Sequence, residues 1–223
     1  MTNLVRLLNF QPNSPRIRLN FRVTARPARA ALEVTEDDMF IQTEATPNPA
    51  TLKFLPGRMV LEGGTLDLRD RAQAAQSPLA EQLFAIPGVS GVFFGSDFIT
   101  VTKDAGEWQQ LKPMILGAIM EHFMSGAALI AAGSAKQGDG EEFFDAADAE
   151  TVATIKELIE TRVRPAVAND GGDITFRGFK DGVVYLNMKG ACSGCPSSTA
   201  TLRHGIQNLL RHFLPDVTEV RPV

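Results

Sequence analysis

The chain has 223 residues, room for two domains of modest size, and its 44% hydrophobic and 22% charged content excludes wholesale disorder. Net charge is −4 but uneven: residues 1–30 hold six arginines and no acid, leaving 16 basic residues against all 26 acidic ones, a balance of −10. Such an acidic body excludes a nucleic-acid binder built on a basic stripe. The longest apolar runs are too short to span a bilayer, so a soluble protein is expected, and two cysteines exclude a disulfide framework and point to a reducing compartment.

The Arg-rich opening has the composition of a mitochondrial-type transit peptide, which would place the protein in the matrix. It also fits an extension from a start codon placed too early. Met39, standing where strand-like patterning begins after Glu36, Asp37 and Asp38, favours that second account and a bacterial cytoplasmic protein. Residues 1–38 are therefore set apart.

FIQTEATPNPATLKFL (40–55) predicts two short strands broken by Pro47-Asn48-Pro49. Thr43, Glu44, Thr46 and Asn48 are expected to be exposed polar residues beside that turn. Ser77-Pro78 supplies an N-cap and a proline at the first helical position, opening a helix to about Ala85. VSGVFF (89–94) and FITVTK (98–103), separated by Gly95-Ser96-Asp97, predict a hairpin. Trp108, Leu111, Ile115 and Ile119 then recur at helical spacing to about Met124. These elements make an α+β domain over 39–125.

Residues 126–147 lose periodicity, and GSAKQGDGEE has linker chemistry. A second domain, 148–223, opens with a helix bearing Val152, Ile155, Leu158, Ile159 and Val163 on one face, ended or bent at Arg164-Pro165. Asn169-Asp170-Gly171-Gly172 is a turn, and Ile174 and Phe176 alternate in the next strand. Lys180-Asp181-Gly182 turns into VVYLNMK. After the cysteines, Leu202, Ile206, Leu209, Leu210 and Phe213 form an amphipathic helix stopped at Leu214-Pro215, and Val217 to Val220 add an edge strand. The fold class expected is α+β: two small two-layer domains joined by a flexible linker, the second ordered α-β-β-α-β.

Cys192 and Cys195, in GACSGCPSST (190–199), are the only cysteines. Pro196 fits the first turn of a helix, putting Cys195 near its N-cap and Cys192 in the loop before it. Helix N–H groups there favour thiolate over thiol, and the small residues around the pair keep the loop accessible, unlike a core position. A disulfide switch, half of a zinc site and half of an iron–sulfur site are all open. Against a thioredoxin-like dithiol oxidoreductase stand Ser193-Gly194 between the cysteines and Ala191 before them. A four-ligand metal centre needs two more donors. His204 and His212 are expected to be ordinary helix residues, so a second copy of the chain is the simplest source.

RPAVANDGGDITF (164–176) and GACSGCPSSTATLRHGIQNLL (190–210) closely resemble the C-terminal domain shared by NifU and the Nfu proteins. MFIQTEATPNPATLKFLPG (39–57) resembles the Nfu-specific N-terminal domain. The resemblance implies a non-enzymatic iron–sulfur carrier that binds a [4Fe–4S] cluster between two subunits, with [2Fe–2S] as the alternative. Cys192 and Cys195 would be its ligands. It further implies a homodimer that receives clusters from an upstream scaffold and hands them to apo iron–sulfur client proteins. The N-terminal domain, which shows no catalytic constellation, is expected to recognise partners or adjust transfer. Arg203 and Gln207 depart from the lysine and glutamate common in the family. Asp170 to Asp173 match a family motif but are expected to form only a tight turn. Replacing either cysteine with serine should abolish cluster binding and leave the fold intact, because the pair is expected to support no core.

Overall fold

A computed structural model describes residues 40–131, 140–193 and 196–223, the last from its backbone alone at 196–198. The expectations for residues 1–38, Met39 and most of GSAKQGDGEE lie outside the described residues. Residues 38–223 form one compact unit containing two sheets.

The first sheet has the order β1 (Gln42–Ala45), β2 (Thr51–Leu55), β5 (Ile99–Lys103), β4 (Val89–Phe94), β3 (Leu66–Leu68), with antiparallel neighbours throughout. Strands β1 (Gln42–Ala45) and β2 (Thr51–Leu55) flank the proline-rich turn. Asn48 closes that turn: its Oδ1 accepts from the Ala50 N–H at 3.0 Å and its carbonyl from the Thr51 N–H at 2.9 Å. It is buried, and Thr46 is half-buried, so exposure does not explain either residue. Asn48 Oδ1 acts as an acceptor within the turn, while Thr46 Oγ1 lies within 2.9 Å of the Asn48 and Thr51 carbonyls and supplies a donor where the two prolines have no N–H.

Strand β3 (Leu66–Leu68) is too short for its periodicity to be read in sequence. Helix α1 (Pro78–Ala85) begins where predicted, with Ser77 Oγ accepting from the Ala80 N–H. The predicted hairpin is β4 (Val89–Phe94) and β5 (Ile99–Lys103), and helix α2 (Trp108–Ser125) ends at left-handed Gly126.

Alternation in these strands sends Phe54, Leu68, Val92, Phe94, Ile99 and Val101 toward α1 and α2, where they join one apolar cluster. The opposite face carries Lys53, Asp67, Phe93 and Thr100. A solvent-facing antiparallel sheet would expose such residues, yet all four are buried. The second half of the chain covers them.

In that half, α3 (Ala149–Leu158), a π-turn at Ile159–Val163 and α4 (Arg164–Asn169) run on as one helical segment. Pro165 has no N–H to give, and the Arg164 N–H reaches five residues back to the Ile159 carbonyl. The helix therefore widens by one residue ahead of the proline and continues to Asn169. Strand β6 (Gly172–Lys180) pairs with β7 (Val183–Gly190) through a two-residue turn with positive φ at Asp181 and Gly182. Helix α5 (Pro196–Phe213) crosses to β8 (Glu219–Pro222), which pairs parallel with β7.

The described ends of 126–147 are anchored. The Ala131 N–H bonds to the Gln76 carbonyl, and Phe143 bridges the outer edge of β6 at Gly178. Among the described residues, no helix is long and apolar enough to cross a membrane.

Candidate cysteine site

Strand β7 ends at Gly190, whose φ of 62° turns the chain back toward the start of β6. A Cβ at Gly190 would lie 2.8 Å from the Gly171 carbonyl oxygen and 3.0 Å from Phe93 Cδ1, so only glycine permits the close approach. The described part of the loop that follows, residues 191–193, is braced by hydrogen bonds. The Ala191 N–H donates to Gly171 O at 3.1 Å, the Ser193 N–H and Oγ both donate to Gly190 O, and Thr199 Oγ1 donates to the Cys192 carbonyl at 3.1 Å.

Cys192 Sγ packs over Gly172, where an added Cβ would sit only 2.8 Å from the sulfur. Gly171-Gly172 is thus the floor of the cysteine loop as well as a turn. The sequence signal was the second glycine: one suffices for a left-handed turn, whereas Gly172 is needed for space.

Cys192 is 7% exposed and belongs to the apolar cluster containing Val163, Met188 and Ile206. This corrects two expectations, an accessible loop and a cysteine that supports no core. A third correction concerns the thiol. Burial, then the Asp170 and Asp173 carboxylates, push its pKa up to about 12, away from the thiolate expected near a helix start. A helix terminus acts within its first turn and is worth at most about 1–2 kcal/mol. Cys192 precedes Pro196 by four residues, and desolvation dominates there.

Cys195, the second predicted ligand, lies outside the described residues. Helix α5 does start at Pro196, as its ring chemistry predicts. A cavity of about 610 Å³ borders Cys192, lined by Val163, Ala166, Leu202, Ile206 and Leu209, with Pro47 from the first sheet.

Asp173 anchors the floor. It accepts from Arg164 through two nitrogens at 2.8 and 3.0 Å, from Thr65 Oγ1 at 3.1 Å and from the Ile174 N–H at 2.8 Å. Arg164 also donates to both oxygens of Glu160, and hydrogen bonding to Asp173 holds its guanidinium pKa above the ordinary value. The bidentate pair locks α4 to the start of β6. His122 is buried in α2, where desolvation lowers its pKa, while His204 and His212 are exposed on α5. Among the described residues, no group of three or more His, Cys, Asp or Glu side chains could hold a metal ion.

A family model described as the scaffold protein Nfu/NifU N terminal matches residues 41–126, and one described as the NifU-like domain matches 155–221. The human mitochondrial NFU1 iron–sulfur cluster scaffold homolog is 51% identical over 187 residues, covering 83% of this chain and 72% of that protein. The mitochondrial NifU-like protein 4 of Arabidopsis thaliana is 50% identical over 185 residues, covering 82% of this chain. This chain spans 65% of that plant protein, less than two thirds of its length. A solution structure of a NifU-like protein from Saccharomyces cerevisiae aligns with a TM-score of 0.39 at 28% identity, covering 42% of this chain and 86% of that one. With both family models matched in tandem and half of the aligned residues shared with a human relative, the chain belongs to the Nfu family of scaffold proteins.

Proposed function

We propose that this chain carries an iron–sulfur cluster, with Cys192 and Cys195 as its two sulfur ligands and a second copy supplying the other two. The carrying observation is the pairing of a braced cysteine loop with a supply of only two thiols per chain. Cubane clusters take four thiolates, so two chains complete one set. The human relative's name, iron–sulfur cluster scaffold, supports the cargo, and the family resemblance favours [4Fe–4S] over [2Fe–2S]. Two copies meeting at Cys192 and Cys195 would be joined by the cluster itself, and opening that joint removes half of its ligands together.

Delivery is then ligand exchange. A client thiol loses its proton and binds iron, and the departing Cys192 sulfur takes a proton up. Burial favours that protonation, so the environment that disfavours a free Cys192 thiolate also assists release. The cluster comes from an upstream scaffold and goes to apo-proteins. A dithiol oxidoreductase would need an attacking thiolate at neutral pH, which the Cys192 environment opposes.

Anaerobic reconstitution with iron and sulfide, read by Mössbauer spectroscopy and native mass spectrometry, is expected to give one cubane per two chains. A cluster carried by a single chain would overturn the assignment. The mitochondrial location in both relatives' names supports the transit-peptide account of residues 1–38 over the early-start account. A reporter fused to residues 1–38 is expected to reach mitochondria; retention in the cytosol would reject that account.

A further inference from the structure

We propose that Lys53, on the first sheet, is a positioning residue for Cys192, holding the turn on which the cysteine loop rests. Only its consequence for cluster binding depends on the carrier assignment. Lys53 projects from the face of β2 opposite the α1–α2 core, and its side chain is 7% exposed. Its Nζ donates to the Ala168 carbonyl at 3.2 Å and the Asn169 carbonyl at 3.1 Å, the last two of α4. Helix ends leave such carbonyls short of intrahelical partners; the Gly171 N–H reaches the Ala168 carbonyl at 3.0 Å, and the ammonium adds a donor to it, supplies one to the Asn169 carbonyl and complements the helix dipole. Glu44 and the Phe98 ring hold the ammonium from its own side, at 3.4 and 4.8 Å.

The two carbonyls lead directly into the floor of the cysteine loop. Gly171, with φ of 83°, nests against the same sheet face: a Cβ there would lie 2.8 Å from Thr100 Cγ2 and 3.6 Å from Lys53 Cβ. Its carbonyl receives the Ala191 N–H, and the next residue, Gly172, bears the Cys192 sulfur. The chain of contact is short: ammonium, helix end, glycine floor, thiol.

Two lesser contacts hold the same floor from the first sheet's side. Thr65 Oγ1 donates to Asp173, and the largely exposed Arg69 donates to the Met188 carbonyl at 2.7 Å. Lys53 makes the central contact because it is buried and charged: its loss takes from the Asn169 carbonyl its ammonium donor and leaves the Ala168 carbonyl with backbone donors such as the Gly171 N–H.

The test uses the full apo chain carrying Cys195→Ala, in which Cys192 is the sole thiol. Alkylation by N-ethylmaleimide at fixed pH is followed by intact mass. Lys53→Met keeps the side-chain length without the ammonium. It is expected to speed alkylation roughly tenfold, because the floor opens more often, while Lys53→Arg restores the rate to within about twofold.

A Lys53 that merely stabilises the first sheet would lower the melting temperature of Lys53→Met and leave alkylation unchanged. That result would overturn the proposal, as would acceleration that Lys53→Arg fails to reverse. If Lys53→Met does not fold, Lys53→Gln, which removes the charge and keeps a polar donor, decides, severalfold acceleration being expected and the parent rate refuting the proposal. In chains with both cysteines intact, Lys53→Met should also speed extraction of the reconstituted cluster by a chelator. A parent chain that binds no cluster would reject the carrier assignment and leave the alkylation result standing.

Discussion

Cys192→Ala is expected to give a folded chain that retains no cluster after anaerobic reconstitution, and Cys195→Ala to do the same. The readouts are iron and sulfide per chain beside a thermal melt. Alanine is the better replacement because Cys192 lies within the apolar cluster of the second half. Removing its sulfur leaves a small void, at a cost of about 1–2 kcal/mol. Serine would add a hydroxyl with poor access to water, worth a further ~1–3 kcal/mol if unpaired. A serine variant that lost both iron and fold would therefore not separate ligation from packing, whereas a folded, iron-free alanine variant does. Full cluster occupancy in either alanine variant would end the ligand assignment.

The same environment sets a pH dependence. Burial, then two neighbouring carboxylates, raises the Cys192 pKa to about 12, so its unbound thiol stays protonated throughout the physiological range. Iron must displace that proton. Cluster uptake should therefore strengthen as pH rises from 6 to 8.5, by about tenfold per pH unit for each thiol that releases a proton on binding. Uptake that is flat over this range would mean the site opens and ionises before iron arrives.

Gly172→Ala and Gly205→Ala should move stability in opposite directions. A methyl at Gly172 would sit 2.6 Å from the Lys189 carbonyl oxygen and 2.8 Å from Cys192 Sγ. The first contact is backbone and cannot rotate away, so either the β6–β7 pairing or the cysteine loop must shift. Overpacking of this kind costs about 1–3 kcal/mol, and displacing Cys192 should also reduce cluster occupancy. Gly205 lies inside α5, where an added methyl meets nothing within 4 Å. Alanine there should stabilise the chain by roughly 0.5–1 kcal/mol, since a helical glycine carries excess unfolded-state entropy. Denaturant unfolding of both variants checks the pair. A neutral Gly172→Ala would mean that the floor beneath Cys192 is not tightly packed.

Local chemistry made much of the fold legible. Ser77-Pro78 fixed the start of α1, Pro196 that of α5, and Gly95-Ser96-Asp97 the hairpin, because caps and turns act over three or four residues. Strand β3 escaped because three residues carry no readable period. The irregularity at Arg164-Pro165 was visible, but the continuation of the helix to Asn169 was not, since the neighbours that hold the segment after the proline are distant in sequence. Asn48 was misread for a different reason. Its polarity suggested solvent, whereas its side chain folds back to accept the Ala50 N–H and closes the turn locally.

By itself the sequence determined the family, the α+β architecture and the limit of two thiols per chain, because motifs and residue counts need no third dimension. Only the tertiary structure decided the state of Cys192 and the purpose of the polar face of the first sheet. The thiol is buried in the cluster of Val163, Met188 and Ile206 over Gly172, and that burial, then the charges of Asp170 and Asp173, keeps it protonated. Lys53 is buried because the end of α4, more than a hundred residues away, lies on it. Desolvation and long-range hydrogen bonds depend on which surfaces meet, and no local pattern encodes that meeting.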